Sequence, residues 1–310
     1  IANFTTLRRT QKAEKKLWMG PWPHAVGAER CGDASFGPSA AVKVQEITLD
    51  WFNHWMKGMS YTLVGPEAVR YFRMGGGDGT RDEQGQRRHG GEWVRAGVWP
   101  PGSRTQRWYV AAEGLRTSPP GDEPPSSFDY DPGHPVPTIG GRAIASTWTP
   151  NCAQDQVCTL RILGCQDNRP LKSRPDVLSF SSAPLKASVD LAGLVRARLW
   201  VSSDAPDADF TAKLMDVYPD GYAMILEDGQ LRVPVTPGEP RRITIDLGST
   251  CNRFAVGHRI RLDISSSNYP RTEPNPHKAH NTIYHDAAHP TTLELPAAGT
   301  GGGGAASGEP

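Results

Sequence analysis

The chain has 310 residues, and its 34 Lys and Arg against 33 Asp and Glu leave a formal net charge of +1. Neither a basic stripe nor an acidic tail stands out, so neither nucleic acid nor an anionic membrane is implied as a partner. A hydrophobic share of 37% permits a packed core, no window approaches the ~18 consecutive apolar residues of a membrane helix, and 33 Gly with 28 Pro favour a turn-rich β body.

Ile1 to Lys16 reads as a short amphipathic stretch ending in a basic run, and Lys15 to Gly20 as a brief buried strand feeding the loop Pro21-Trp22-Pro23-His24. Ala41 to Met59 reads as a helix, with Val44, Ile47, Trp51, Phe52 and Trp55 on one face and Lys57-Gly58 closing it. After Gly65-Pro66 the period changes to two. Residues 68–74, 92–99 and 107–112 read as strands, and the Pro/Gly-rich segment 117–142 as a long surface loop. Val195, Ala197, Leu199 and Val201 alternate with Arg196, Arg198 and Trp200. Ile260, Leu262 and Ile264 alternate with Arg261 and Asp263, and Ile243, Ile245 and Leu247 with Thr244 and Asp246. Such alternation predicts sheets with one buried and one wet face. The fold class expected is mainly β, a jelly-roll β-sandwich over residues 63–296, with 297–310 a disordered tail.

Five cysteines leave at least one thiol free. Cys152, Cys158 and Cys165 sit close together, with Cys152–Cys158, Cys158–Cys165 or three loop thiols as the open readings. Gly75 to Gly79 lacks the Lys-Ser/Thr of a phosphate cradle and reads as a hairpin turn. Asp204, Asp207 and Asp209 fit no EF-hand spacing, and His277, His280, His285 and His289 lie in an irregular segment; no metal and no cofactor is implied.

Gly20-Pro21-Trp22-Pro23-His24 places a histidine at a strand end on a stiff turn, as a general base requires, although spacing alone favours a loop histidine with a satisfied hydrogen bond. This stretch, the later Gly32-Asp33 and Trp51-Phe52 … Trp55-Met56-Lys57-Gly58 resemble the end of the α/β-hydrolase domain in the cocaine esterase / X-Pro dipeptidyl-peptidase family of serine hydrolases. Met74-Gly75-Gly76, Trp99-Pro100-Pro101, Asp129-Tyr130-Asp131-Pro132, Leu199 to Phe210, Asp216 to Gly221 and Tyr284-His285-Asp286 resemble, in order, that family's C-terminal jelly roll, which is galactose-binding-like. The resemblance implies that residues 1–62 are the C-terminal remnant of an α/β-hydrolase domain and that His24 is the base of a Ser-His-Asp triad. It also implies that residues after Gly140-Gly141, among them Ile144 and Trp148, wall the substrate pocket.

No Gly-x-Ser-x-Gly elbow occurs here, Ser39, Ser60 and Ser249 lack its strand–turn–helix setting, and Asp33 falls on the wrong side of His24 for the family's order. The chain starts at Ile1 rather than Met, so serine and aspartate are expected upstream and the chain alone is expected to be inert. The function expected is that of the C-terminal portion of a hydrolase cleaving an ester, amide or peptide, with the missing hydrolase half as partner and homo-oligomers left open. The competing reading is a non-catalytic binding or stabilising module. Location leans to the cytoplasm, with secretion left open. Two further expectations concern stability: Leu231 to Val235 reads as too short for a full edge strand, and Trp51, Phe52 and Trp55 should face water, leaving residues 1–60 soft to protease.

Overall fold

The computed structural model describes residues 1–298 apart from 103, 144, 145, 147 and 148, so the expected tail lies outside it except for its first two residues. The chain opens with α1 (Ala2–Thr10), β1 (Leu17–Met19), the short β2 (Arg30–Cys31) and β3 (Ala34–Ser35), then α2 (Val44–Lys57). Next come β4 (Val69–Met74), β5 (Arg87–Arg88), β6 (Gly91–Ala96), β7 (Arg104–Ala111), β8 (Gly114–Arg116) and β9 (Ser126–Tyr130). After a long crossing segment follow β10 (Leu178–Ser181), β11 (Val189–Ser203), β12 (Asp207–Val217), β13 (Ala223–Pro234), β14 (Arg241–Phe254), β15 (Arg259–Ser265), β16 (Ala279–Tyr284) and β17 (Thr292–Ala297).

Two sheets face each other. The larger has β11 at its centre, paired antiparallel with β14 on one side and with β16 and β17 on the other. The smaller runs β10-β15-β12-β13. Alternate residues of both meet in one core: Val195, Leu199 and Val201 from β11, Ile245 and Leu247 from β14, and Phe210, Leu214 and Leu262 from the facing sheet. The mainly β sandwich expected from alternation is therefore present, and burial of these side chains is its main driving force.

The outer face of the small sheet departs from the expected pattern. Arg261 and Asp263 are buried rather than wet. The crossing segment, residues 131–177, lies over that face and brings its own core of Val136, Ile139, Leu171 and Val177. Polar groups survive beneath it because they are paired. Arg261 donates twice to Asp263 (2.8 and 2.6 Å), and the ammonium of Lys213 donates to Pro137 O at 3.3 Å. Burial nevertheless pulls the Lys213 pKa down to about 8, against the opposing charges of Asp228 and Asp263.

Three further differences concern boundaries. The expected loop 117–142 contains β9, which pairs with β16 from Ser126↔Ile283 to Tyr130↔Ala279. The edge strand doubted at Leu231–Val235 is complete: β13 pairs with β12 out to Pro234↔Asp207. The helix expected over Ala41–Met59 is tighter, ending at Gly58 in the left-handed region (φ 66°), where Gly58 N donates to His54 O (3.0 Å) and Met59 N to Asn53 O (3.3 Å).

Residues 1–62 attach to this body at one sheet edge, through the pairing of β3 with β5, and through a disulfide. β1 pairs in parallel with β4, Leu17↔Val69 to Met19↔Tyr71, and among the described residues no strand pairs with its other edge. Phe4 of α1 packs with Val69, Tyr71 and Trp99. Helix α2 buries little beyond Asp50, whose carboxylate accepts the N–H groups of Thr62, Leu63 and Val64 at 2.8–3.1 Å. Burial alone would raise that carboxyl, but these backbone donors and the Thr62 hydroxyl prevail and hold it far below the ordinary range. Trp51 stacks on Tyr61, whereas Phe52 (51% exposed), Trp55 (53%) and Met56 (77%) face outward, as expected for the first two.

Candidate functional site

The loop carrying His24 leaves β1 at Gly20. A side chain at Gly20 would collide with the Trp22 indole folded back against it. Trp22 donates from Nε1 to Ala40 O (2.8 Å) and packs at a tilt against Trp93, which also packs on Trp18. Pro21 and Pro23 flank this anchored indole, so the backbone reaches His24 with little freedom. His24 itself is exposed, and no described residue makes a hydrogen bond or ion pair with its ring. The satisfied loop histidine that spacing alone favoured is therefore not what the structure shows. A stiffly mounted imidazole faces solvent in the loop that follows β1.

The loop returns through β2. Asp33 N donates to Ala153 O (2.7 Å), and the Asp33 carboxylate accepts Asp155 N at 3.3 Å, which commits it to the crossing segment. Cys31 is disulfide-bonded to Cys152, and Cys158 to Cys165; Cys251 is a buried free thiol. One of the open local pairings is thus realised, while the three clustered cysteines are divided between two bridges, because the fold brings Cys31 to Cys152 across 121 residues of sequence. Burial pushes the Cys251 thiol well above its ordinary value. Ile144 and Trp148 lie outside the described residues; their neck is closed by paired hydrogen bonds between Gly141 and Cys152 (2.7 and 2.9 Å).

Between this loop and the sandwich lies a cavity of about 220 Å³, walled by Met19, Trp22, Phe36, Trp99 and Met224. Glu227 enters it from β13 with Arg142 Nε 3.3 Å from Oε2, and no hydrogen bond reaches Oε2. Burial raises the Glu227 carboxyl to about 8, with Arg142 opposing and Asp228 reinforcing the shift. Sequence reasoning missed Glu227; the signal was an acidic pair, Glu227-Asp228, inside an apolar strand. It also missed His89, buried beneath the hairpin. His89 Nε2 donates to Asn252 Oδ1 (2.8 Å), so Nδ1 accepts from the Tyr218 hydroxyl (2.5 Å) in a neutral ring. Burial lowers its pKa, in keeping with that state.

The other sequence candidates are dispersed. Asp209 is clasped by Arg232 (2.6 and 2.9 Å), Asp207 accepts from Asn275, and Asp204 accepts His280 N. His280 meets Asp129, His285 meets Ser126, and His289 packs edge-on against Trp200. Among the described residues no three His, Cys, Asp or Glu gather as metal ligands. Gly75 and Gly77 form hairpin hydrogen bonds to Gly90 O and His89 O.

Comparison with known proteins now bears on this geometry. Residues 65–294 match the model of the X-Pro dipeptidyl-peptidase C-terminal non-catalytic domain. The chain belongs to that family. As a member of the X-Pro dipeptidyl-peptidase C-terminal family it is 33% identical over 322 residues to the cocaine esterase of Rhodococcus sp. (strain MB1 Bresler), a match covering 92% of this chain and 51% of that protein. Its fold overlays that of an aminopeptidase from a marine sediment Thaumarchaeota archaeon (TM-score 0.73, 24% identity, 94% of this chain and 51% of the other). It also overlays an α-amino acid ester hydrolase (TM-score 0.70, 22% identity, 94% and 51%). At those identities the likeness speaks for the fold. The chain spans about half the length of the curated relatives it matches. Membership of this family and kinship with hydrolases are as the sequence led one to expect.

Proposed function

We propose that this chain is the C-terminal portion of a serine hydrolase that cleaves an ester or amide, with His24 as the base of a Ser-His-Asp triad whose serine and aspartate lie on a hydrolase segment outside residues 1–310. The observation that carries the reading is the condition of His24: exposed, unpartnered among the described residues, and held on the Pro-Trp-Pro turn that follows the edge strand β1. A base that works on a serine hydroxyl from another segment needs that combination. The outer edge of β1 and the apolar surface of Phe52, Trp55 and Met56 on α2 are the surfaces a hydrolase sheet would cover. In that enzyme His24 accepts the serine proton during attack on the carbonyl, then returns it to the leaving group, and repeats the cycle with water. We read residues 1–62 as the end of the hydrolase domain and 63–296 as its jelly-roll companion. Ile144 and Trp148 would then wall the pocket from the side of the crossing segment.

The test is to place the N-terminal half of the Rhodococcus cocaine esterase in frame before Ile1 and treat the product with a serine-directed fluorophosphonate. The joined protein should be labelled and hydrolyse a simple aryl ester, whereas residues 1–310 alone should do neither. Labelling of the chain alone would overturn the reading.

A further inference from the structure

The two loops that the functional reading joins, residues 20–31 and 141–152, have necks that meet. Cys31 ends one loop and Cys152 ends the other, and a disulfide links them. Cys152 is fixed from both sides. It exchanges backbone hydrogen bonds with Gly141, and it is the described non-glycine residue held at positive φ (58°). Such a conformation persists only where the surroundings over-determine it. Next to it, Gly32 forms a bridge with Ala153, and a side chain at Gly32 would strike the Ala153 carbonyl. Apart from the disulfide, the return of the His24 loop to the crossing segment rests on two hydrogen bonds, Asp33 N to Ala153 O and Asp155 N to the Asp33 carboxylate.

We propose that Cys31 and Cys152 are positioning residues, whose disulfide locks the His24 loop against the Gly141–Cys152 neck and so sets where the base stands relative to the crossing segment. The proposal rests on reading His24 as that base. The contacts make the effect local. Cys31 packs in a small cluster with Ala34, Phe36, Phe72 and Met224, apart from the sandwich core of β11, β12, β14 and β15. Loss of the bridge therefore removes a restraint on one loop and leaves the main core as it is. The second bridge, Cys158–Cys165, spans seven residues inside the crossing segment and touches neither neck, which makes it the control.

The experiment compares the 310-residue chain with its C31S/C152S and C158S/C165S variants, by peptide mapping without reductant and by hydrogen exchange. Mapping of the unaltered chain should recover a peptide pair joined through Cys31 and Cys152. In C31S/C152S, amides between Trp22 and Cys31 should exchange at least about tenfold faster, while strands β11, β12 and β14 keep their protection. C158S/C165S should leave the His24 loop unchanged. Absence of the linked peptides, unchanged exchange in the loop, or an equal rise across the sandwich each overturns the proposal. None of these readouts uses hydrolysis, so a confirmed strap in a chain that never supports hydrolysis would fail the functional reading alone.

Discussion

At Glu227 an ionised carboxylate would sit in an apolar cavity with Arg142 at 3.3 Å as its nearby cation. Burial therefore keeps the acid protonated up to about pH 8, against an ordinary value of 4.5. The consequence for stability has a definite sign. Between those two values the folded chain holds a proton that the unfolded chain has released, so stability falls as pH rises through that window. Glu227→Gln lacks the titration and should gain on the parent from pH 5 to pH 9, by on the order of a few kcal/mol, as read from urea midpoints. Parallel profiles for the two proteins would contradict the assignment. At this scale the sequence was legible where a pattern repeats and illegible where a single contact decides. His24 stood out only through ordered resemblance, since a histidine after two prolines has no unique meaning. His89 and the Cys31–Cys152 pair gave no usable signal, and Glu227 only that of an acidic pair inside an apolar strand, because each depends on which distant strand or loop the fold lays beside it.

Among elements, the strands of the core were the most readable. Leu199, Ile245 and Leu262 fall on the buried face that alternation assigns them. Leu262→Ala, at a site with no exposure, should cost about 2–5 kcal/mol of unfolding free energy. A loss below about 1 kcal/mol would mean that the two sheets do not pack as described. The same alternation misled on the opposite face of β15. Arg261 and Asp263 look like solvent residues in sequence, yet they satisfy one another under a segment whose course no local pattern encodes. Strand β9 was hidden for a related reason: Ser126 to Tyr130 is short and framed by prolines, and its partner β16 lies some 150 residues later. Helix α2 was legible as a helix, and its outward apolar residues have a measurable consequence. Limited proteolysis of the 310-residue chain should cut within residues 44–60 before any strand of the sandwich, because so little of that helix is buried. Equal resistance of helix and sandwich would contradict this.

Over the whole molecule, a β-sandwich carries one edge strand, β1, whose outer side is unpaired among the described residues. Two sheets close a continuous core, two disulfides tie the crossing segment, and family membership covers residues 65–294. Against that finished body, β1 has an unpaired edge, α2 an uncovered apolar surface, and His24 a ring with no partner among the described residues. These three features lie within residues 1–62, and the function proposed above would account for them together, through a hydrolase sheet adding to β1 and presenting a serine to the imidazole. The most direct measurement is the rate of aryl-ester hydrolysis by the joined protein, with His24 and with His24→Ala. Loss of a triad base leaves a small residue of catalysis, so the rate should fall by roughly 10³-fold or more with the melting temperature unchanged. Hydrolysis by the alanine variant at the parent rate would show that His24 is not the base.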